Sequence, residues 1–279
     1  MQVKKYSGEL VEFDVRRLKG SLSKSGASPD VVEEVWETMK PMVYDGISTR
    51  DLYKLAFRLL KREADSFAAR YSLKRALKDL GPAGYHFEQW VAKLFNHADY
   101  QTLTGQLLTG NSVTHEVDVV AQKGDELLLV ECKFRNTEDA KITVTTPMYF
   151  LSRVNDFDGR TFSFFGKDGH FTAGWLVTNA YVTTDSIDFS PYYGLHLLSW
   201  NYPEESSIKR RVDNAGLYPL TCLTTINKAE KDSLLTQGCI LVKDILDDIA
   251  QLDTLDCAPR KKKRIIEEAT ELVNHPYAG

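Results

Sequence analysis

The stretch HEVDVVAQKGDELLLVECKF, residues 115–134, is the most informative part of the chain. It consists of two extended, largely apolar runs separated by Gly124-Asp125, a pair typical of a two-residue β-hairpin turn. With these two residues at the turn, Asp118 faces Glu131 and Glu116 faces Lys133 across the hairpin. Directly opposed side chains on one face of a hairpin lie about 4.5–5.5 Å apart at their Cβ atoms. The pattern therefore brings two carboxylates and a lysine together.

The opposite face of this hairpin is apolar and suited to a core, with Val117, Val119, Ala121, Leu128, Val130 and Cys132. Two ionised carboxylates side by side repel each other, and a hard divalent cation such as Mg²⁺ removes that repulsion. A lysine on the same side can orient a metal-bound water or stabilise negative charge on phosphorus. The pattern indicates a metal-dependent site at Asp118, Glu131 and Lys133. The alternative is a charged ladder on an exposed strand face.

The flanking sequence predicts a mixed α/β core around this hairpin. Residues 87–95 place five apolar side chains on one helix face, and residues 149–157 are also helical in pattern. Residues 174–179 and 195–200 are typical of buried strands.

Length and composition exclude several classes of protein. A chain of 279 residues suggests about two domains, and 43% hydrophobic with 27% charged residues is ordinary globular usage. There is no apolar run long enough to span a membrane, and the N-terminal residues do not resemble a secretory signal. The four cysteines form no CxxC pair, so we expect neither a disulfide framework nor a zinc site. This use of cysteine also predicts a cytoplasmic location.

Charge is unevenly distributed along the chain. Residues 1–80 hold 16 basic against 12 acidic side chains, whereas residues 81–279 hold 19 against 27. The basic first segment suits a small anionic ligand, and the acidic remainder offers nucleic acid only local basic patches or bound metal. The Leu80–Gly84 stretch, with two glycines and a proline, predicts a boundary between the two.

The segments HEVDVVA and LLLVECKF, with GYHFEQWVAKLF before them and GWLVTNAYVTTDSI after them, resemble the Mrr-like restriction endonucleases of the PD-(D/E)xK superfamily. The resemblance covers about residues 81–200. It implies a nuclease domain at residues 85–200 with an α/β (α+β) restriction-endonuclease-like core and a mixed central sheet.

The same resemblance implies roles for individual residues. Asp118 and Glu131 would be metal ligands, with the carbonyl of Cys132 as a third. Lys133 would position the attacking water, and Glu88 would assist at the metal. The implied cofactor is Mg²⁺ or Mn²⁺.

One feature departs from the family pattern. Many members carry a glutamine on the helix after the ExK strand, whereas TTPMYFLSRVNDF has none, leaving Tyr149 or Arg153 as substitutes. Two neighbours of the triplet have alternative interpretations. Glu116 is either catalytic or a partner of Lys133, and His115 is either a base or a packing residue.

Residues 1–80 resemble the ATP-cone, a small nucleotide-binding regulatory domain. The pattern predicts a hairpin turning at Ser7-Gly8, a helix over Val15–Ser23, a second opened by Ser28-Pro29, and a third with Thr49 as N-cap. The implied ligand is ATP or dATP, and the candidate residues are Val3, Lys5, Gly8, Arg16, Arg17 and Lys19. Tyr6-Ser7 stands where the family often has Arg-Asp. The alternative is a helical protein-interaction domain with a basic face.

Residues 201–279 predict a helical C-terminal segment. Its basic runs, 209–211 and 261–264, are either phosphate contacts or solvated charges. The two resemblances together favour a Mg²⁺-dependent DNA endonuclease that is regulated by ATP or dATP. We expect it to act as a homo-oligomer in defence against foreign DNA. The alternatives are a structure-selective junction or repair nuclease, a nuclease acting on RNA, and a non-catalytic nucleotide-sensing DNA-binding protein.

Overall fold

The structure is a computed structural model that describes residues 1–5, 7–81, 84–137 and 140–274. Tyr6 and part of the expected boundary at Leu80–Gly84 lie outside these residues. The chain divides into two compact units, Met1–Ala76 with Val212–Gly279, and Leu77–Arg211. Within the described part of the chain, no helix is both long and apolar enough to cross a membrane.

The described strands are β1 (Gln2–Lys4), β2 (Leu10–Glu12), β3 (Ile47–Ser48), β4 (Gln101–Thr109), β5 (Thr114–Lys123), β6 (Glu126–Cys132), β7 (Lys141–Ile142), β8 (Phe162–Phe164), β9 (Lys167–Gly169), β10 (Ala173–Val177), β11 (Tyr181–Val182) and β12 (Leu195–Leu198). The described helices are α1 (Val15–Ser23), α2 (Pro29–Met39), α3 (Thr49–Glu63), α4 (Asp65–Tyr71), α5 (Leu73–Lys78), α6 (Tyr85–His97), α7 (Thr145–Asp156), α8 (Thr184–Tyr192), α9 (Ile208–Ala215), α10 (Lys228–Thr236), α11 (Val242–Asp247) and α12 (Pro259–Asn274).

The Leu77–Arg211 unit is built on a mixed sheet with the strand order β12-β10-β6-β5-β4. The first three strands run parallel, and β5 and β4 are antiparallel to their neighbours. The predicted hairpin is confirmed: Lys123 pairs with Glu126 around the Gly124-Asp125 turn, and Gly124 has the positive φ of 59° that such turns favour. The mixed α/β class expected from the sequence is therefore observed.

Helices cover both faces of this sheet. Gly174 and Trp175 are successive residues of β10 and so point to opposite faces. Phe95 of α6 packs edge-on against Trp175, and Phe150 of α7 lies over Gly174. The β5–β6 hairpin is buried on both faces, because the interior beneath α7 includes four of its residues, Val117, Val120, Leu127 and Leu129. Val117 therefore does not share a face with Val119 and Ala121 alone, although the sequence pattern predicts that it does.

In the other unit, residues 1–76 begin with the sheet β2-β1-β3, in which β1 and β2 form the predicted antiparallel hairpin. Helix α1 has the predicted bounds, and α2 begins at Pro29 with Ser28 as N-cap. The predicted N-cap of α3 is wrong by one residue. Ser48 has the extended backbone of a cap and accepts a hydrogen bond from Asp51 N at 3.0 Å, so Thr49 already lies in the first turn.

The C-terminal helices belong to the same compact unit as residues 1–76. The sequence pattern predicts them as a separate segment. The buried Arg70 guanidinium donates to the carbonyls of Glu271 and Leu272 at the end of α12, at 2.9 and 3.1 Å. The Thr221 hydroxyl donates to the carbonyl of Ala76 at 2.6 Å. These bonds join residues more than 140 positions apart, a separation that local sequence patterns do not reveal.

Candidate active site

Asp118 lies where the β5–β6 ladder stops. The described pairing ends at Val119–Val130, and one position further the Asp118 Oδ2 accepts a hydrogen bond from the main-chain N–H of Cys132 at 2.6 Å. Burial, and then the negative charge of Glu131, raise the pKa of Asp118 to about 6. The two carboxylates that the sequence places opposite each other are thus close enough to interact.

Glu131 is the most deeply buried of the predicted site residues that carry charge, with 2% of its surface exposed. Its Oε1 accepts from the Nζ of Lys133, two residues further along the chain, and its Oε2 accepts from Nη1 of Arg153. The main-chain N–H of Lys133 donates to the carbonyl of Val177 at 2.8 Å. Lys133 therefore continues the β6–β10 pairing, and the predicted pairing of Lys133 with Glu116 across the hairpin is replaced by its contact with Glu131.

Arg153 links strands β5 and β6 through two hydrogen bonds of its side chain. It lies on α7, and its guanidinium donates through Nη1 to Glu131 on β6 and through Nη2 to the carbonyl of Glu116 on β5. Only 12% of its side chain is exposed. Tyr149, one helical turn earlier on α7, is exposed. Of the two expected substitutes for the family's glutamine, Arg153 is the one that reaches the carboxylates.

Glu88 reaches the same site from the first turn of α6. The turn before this helix contains Gly84, whose positive φ of 80° is favourable for glycine, and Glu88 N donates to the Gly84 carbonyl at 3.0 Å. Burial, and then the carboxylates of Asp118, Glu116 and Glu131, raise the pKa of Glu88 to about 7. The structure therefore brings Glu88 near the other three predicted catalytic residues and near Glu116.

Residues after β10 hold the chain that follows Lys133. Thr178 donates through its hydroxyl to the Lys133 carbonyl at 2.6 Å, and the Asn179 amide both accepts from Arg135 N and donates to Arg135 O at 2.8 Å. Sequence analysis did not single out Asn179. A signal was available, because the carboxyl ends of adjacent parallel strands meet at one edge of a sheet, and polar residues there are candidates for site support.

His115 has a packing and anchoring role. Its Nε2 lies 2.8 Å from Oδ2 of Asp156, and its ring packs edge-on against Phe157. The same Asp156 carboxylate accepts from the main-chain N–H groups of Ser112 and Val113 at 2.9 and 3.3 Å. His115 and Asp156 thus fix the β4–β5 loop to the end of α7.

The donor chemistry of the site fits a hard divalent cation. Asp118, Glu131 and Glu88 offer carboxylate oxygens, the ligands that Mg²⁺ prefers. Burial raises the pKa of the Cys132 thiol well above its usual value, so this residue could act as a ligand only through its carbonyl. Among the residues that the structure describes, no three acidic, histidine or cysteine side chains already surround a single metal position, and both oxygens of Glu131 hold cations. A metal ion that bound the Glu131 carboxylate would have to displace Lys133 or Arg153 from one of its oxygens.

The candidate nucleotide residues on β1 and its turn differ in accessibility. Val3 is buried in the core of its unit and pairs with both Val11 and Ile47, so its side chain cannot contact a ligand. Gly8 forms the hairpin turn with a φ of 89°, and the Lys5 Nζ lies 2.8 Å from the carboxylate of Glu9.

The basic residues of α1 are also partly neutralised. The Asp14 carboxylate accepts from Arg16 N at 2.9 Å and thereby occupies the first turn, where a phosphate would otherwise bind the helix amides. Lys19 pairs with Glu33 at 2.5 Å. The side chains of Arg16 and Arg17 are 95% and 90% exposed.

The basic run at the start of α12 is paired with acids of its own unit. Its four contacts are Lys261–Glu230, Lys262–Asp253, Lys263–Glu267 and Arg264–Asp65. In the other run, Arg211 donates to the Ser206 carbonyl and lies over the Trp175 ring. These pairings disfavour the interpretation of the run at 261–264 as a ready phosphate-binding patch, and in the run at 209–211 they engage Arg211.

Comparisons with known proteins find two family models that match parts of the chain. Residues 82–199 match the family model described as restriction endonuclease (Mrr_cat), and residues 218–273 match the model described as AF1548-like, C-terminal. The first match supports a nuclease activity for residues 82–199, and the second shows that residues 218–273 are similar to an AF1548-like C-terminal domain. Both matches lie beyond residue 81.

A curated protein and a solved structure are each similar to about two thirds of the chain. An uncharacterized protein of Archaeoglobus fulgidus is 29% identical over 184 residues, which are 66% of this chain and 99% of the relative. The crystal structure of a protein of unknown function, AF1548, is similar with a TM-score of 0.55 and 28% identity, over 68% of this chain and 97% of that one. About a third of this chain thus extends beyond what these relatives contain.

Proposed function

We propose that this protein is a divalent-metal-dependent DNA endonuclease whose site consists of Asp118, Glu131, Lys133 and Glu88. The observation that carries the proposal is the meeting of Asp118, Glu131 and Lys133 where the β5–β6 ladder ends, within the residues that match the restriction endonuclease model. Mg²⁺ or Mn²⁺ bound there would supply a Lewis acid and lower the pKa of a bound water.

The residues of the chain have distinct tasks in this proposal. Asp118 and Glu131, with the carbonyl of Cys132, would hold the cation. The hydrogen bond from Cys132 N fixes the orientation of Asp118. Lys133 keeps its ammonium beside Glu131, where it can orient the attacking water and stabilise negative charge on the phosphate. Glu88 adds a carboxylate from α6.

The test is cleavage of supercoiled plasmid DNA with Mg²⁺ by the wild type, by Lys133→Ala and by the matched control Lys141→Ala, which alters an exposed lysine outside the site. We expect nicked or linear product with the wild type and the control and none with Lys133→Ala. Equal cleavage by Lys133→Ala would contradict the assignment of the site.

The same assay separates the alternatives by their substrates. Preferential cleavage of branched junctions over plain duplex would identify a structure-selective nuclease, and cleavage of RNA alone would identify a ribonuclease. Metal-independent DNA binding without cleavage of any substrate would favour a non-catalytic binding protein.

Nucleotide regulation is a second part of the proposal, with ATP or dATP bound by residues 1–76. Its support is the β1–β2 hairpin followed by α1, with the highly exposed Arg16 and Arg17. Both pair with Asp14 only at 3.4 and 3.7 Å, and their guanidinium groups could also bind a triphosphate. Binding of fluorescent ATP and dATP should be lost in the double variant Arg16→Ala/Arg17→Ala and retained in Lys24→Ala, at the C-terminal end of α1. Plasmid cleavage unchanged by either nucleotide would reduce this region to a structural or assembly role.

A further inference from the structure

The Glu131 carboxylate pairs with two positively charged side chains, Lys133 and Arg153, which come from different parts of the fold. This difference matters for metal binding. Lys133 lies near Glu131 because it is only two residues further along the same strand and its extension. Arg153 comes from α7 and is 22 residues away along the chain. Its guanidinium takes Oε2 of Glu131, one of the two oxygens that this carboxylate can offer to a metal ion.

A guanidinium and a divalent cation cannot share this position without strong repulsion. Like charges a few ångströms apart in a partly buried site interact unfavourably, because solvent screens them little. The planar guanidinium fork also matches phosphate as well as carboxylate. A DNA phosphate entering the site therefore offers Arg153 an alternative partner of the same chemistry.

The backbone that carries Arg153 is fixed from both sides. Phe150 is buried where α7 crosses Gly174, and Asp156 binds the main-chain N–H of Ser112 at 2.9 Å. Release of Glu131 thus requires only a change in the Arg153 side chain, not a movement of α7.

We propose that Arg153 is a resident competitor of the divalent metal ion at Glu131, and that a substrate phosphate displaces its guanidinium onto DNA so that metal loading follows substrate binding. This inference rests on the proposed function. It makes Arg153 a positioning residue with opposite effects on two ligands: it weakens metal binding to the free protein and strengthens DNA binding without metal.

The test measures both ligands directly. Mn²⁺ affinity is determined by electron paramagnetic resonance on the free protein, and affinity for a DNA duplex is determined by fluorescence anisotropy in EDTA. We expect Arg153→Gln to bind Mn²⁺ at least about tenfold more tightly than the wild type and to bind DNA several-fold more weakly. Arg153→Lys retains the charge and should keep the weak Mn²⁺ binding. The control Arg160→Gln, which changes an exposed arginine beyond α7, should alter neither affinity.

Two further variants make each outcome interpretable. If Arg153→Gln does not fold, Arg153→Met replaces it; in either variant the buried Glu131 carboxylate keeps its ion pair with Lys133, so its charge is not left uncompensated. Asp118→Asn should abolish Mn²⁺ binding in any background. Absence of Mn²⁺ binding in wild type and in every variant overturns the proposed metal site itself. Wild-type binding that Asp118→Asn abolishes but Arg153→Gln does not tighten overturns only the role of Arg153.

Discussion

The carboxylate of Asp118 accepts a hydrogen bond from the main-chain N–H of Cys132 at 2.6 Å, just beyond the last paired residues of the β5–β6 ladder. A side chain here replaces the carbonyl that would otherwise continue the ladder. The bond engages one carboxylate oxygen and fixes the direction of the other. It also couples two of the three groups that we propose as metal ligands, so that Asp118 and the Cys132 peptide are oriented together.

Asp118→Asn should remove the negative charge of this side chain and keep its hydrogen bond to the backbone. The amide oxygen can still accept from Cys132 N, so we expect the folded state to be retained. Loss of the negative charge should lower Mg²⁺-dependent cleavage by at least about a hundredfold, because substitutions that only support metal ligands already cost 10–100-fold. Plasmid cleavage rates and thermal melting curves check the two parts.

The matched control for this variant is Asp125→Asn, which removes an exposed carboxylate from the turn of the same hairpin. It should leave cleavage unchanged. A similar loss of activity in both variants would mean that the effect is not specific to the site.

Structural features that depend on residues close together in the chain could be predicted from the sequence. The Gly124-Asp125 turn fixes the register of β5 on β6, because the turn type and the alternation of side chains act over a few residues. The helix carrying Glu88 was predictable for the same reason: its apolar face recurs with the helical period, and its interior residues are buried.

The partners of residues that meet through long-range packing were not predictable, even where the residue itself carried a signal. Arg153 reaches Glu131 only because α7 lies across the sheet, and Asn179 reaches Arg135 only because β10 pairs with β6. The place where the ladder stops also escaped prediction, since the sequence pattern of β5 continues beyond it. None of these contacts has a periodic signal in the sequence.

Gly174→Ala should destabilise the sheet where α7 crosses it. An added Cβ would lie 2.9 Å from Val154 Cγ2 and 3.2 Å from Phe150 Cε1, which leaves no room for a methyl group. Overpacking of this kind costs about 1–3 kcal/mol. Urea denaturation measures the loss. Gly20→Ala in α1, where the added Cβ meets nothing within 4 Å, should be neutral or stabilise by up to about 1 kcal/mol.

Glu268→Gln should destabilise the unit that contains α12. The buried Glu268 carboxylate accepts from Thr224 N at 2.7 Å, and from Thr225 N and Oγ1 at 2.9 and 2.6 Å. An amide turns one acceptor into a donor facing an N–H or O–H group, so we expect a loss of about 2–3 kcal/mol. The neighbouring Glu267→Gln, on the exposed side of α12, should change the free energy of unfolding little. Equal losses in the two variants would contradict the structural role of Glu268.

Asp156 should make stability depend on pH in the acidic range. Hydrogen bonds from Ser112, and then from His115, lower the pKa of this carboxyl from 3.8 to about 2 in the folded protein. The ionised form is therefore favoured by folding, and its stabilisation is fully present above pH 4 and is lost as the pH falls towards 2. We expect Asp156→Asn to melt at a lower temperature than the wild type at pH 6, because the amide cannot accept from Ser112 N, Val113 N and His115 together. That difference should shrink steadily between pH 4 and pH 2. Asp158→Asn, an exposed neighbour, should show no such trend, and a wild-type advantage over Asp156→Asn that stays constant down to pH 2 would show that the bonds do not depend on the charge of Asp156.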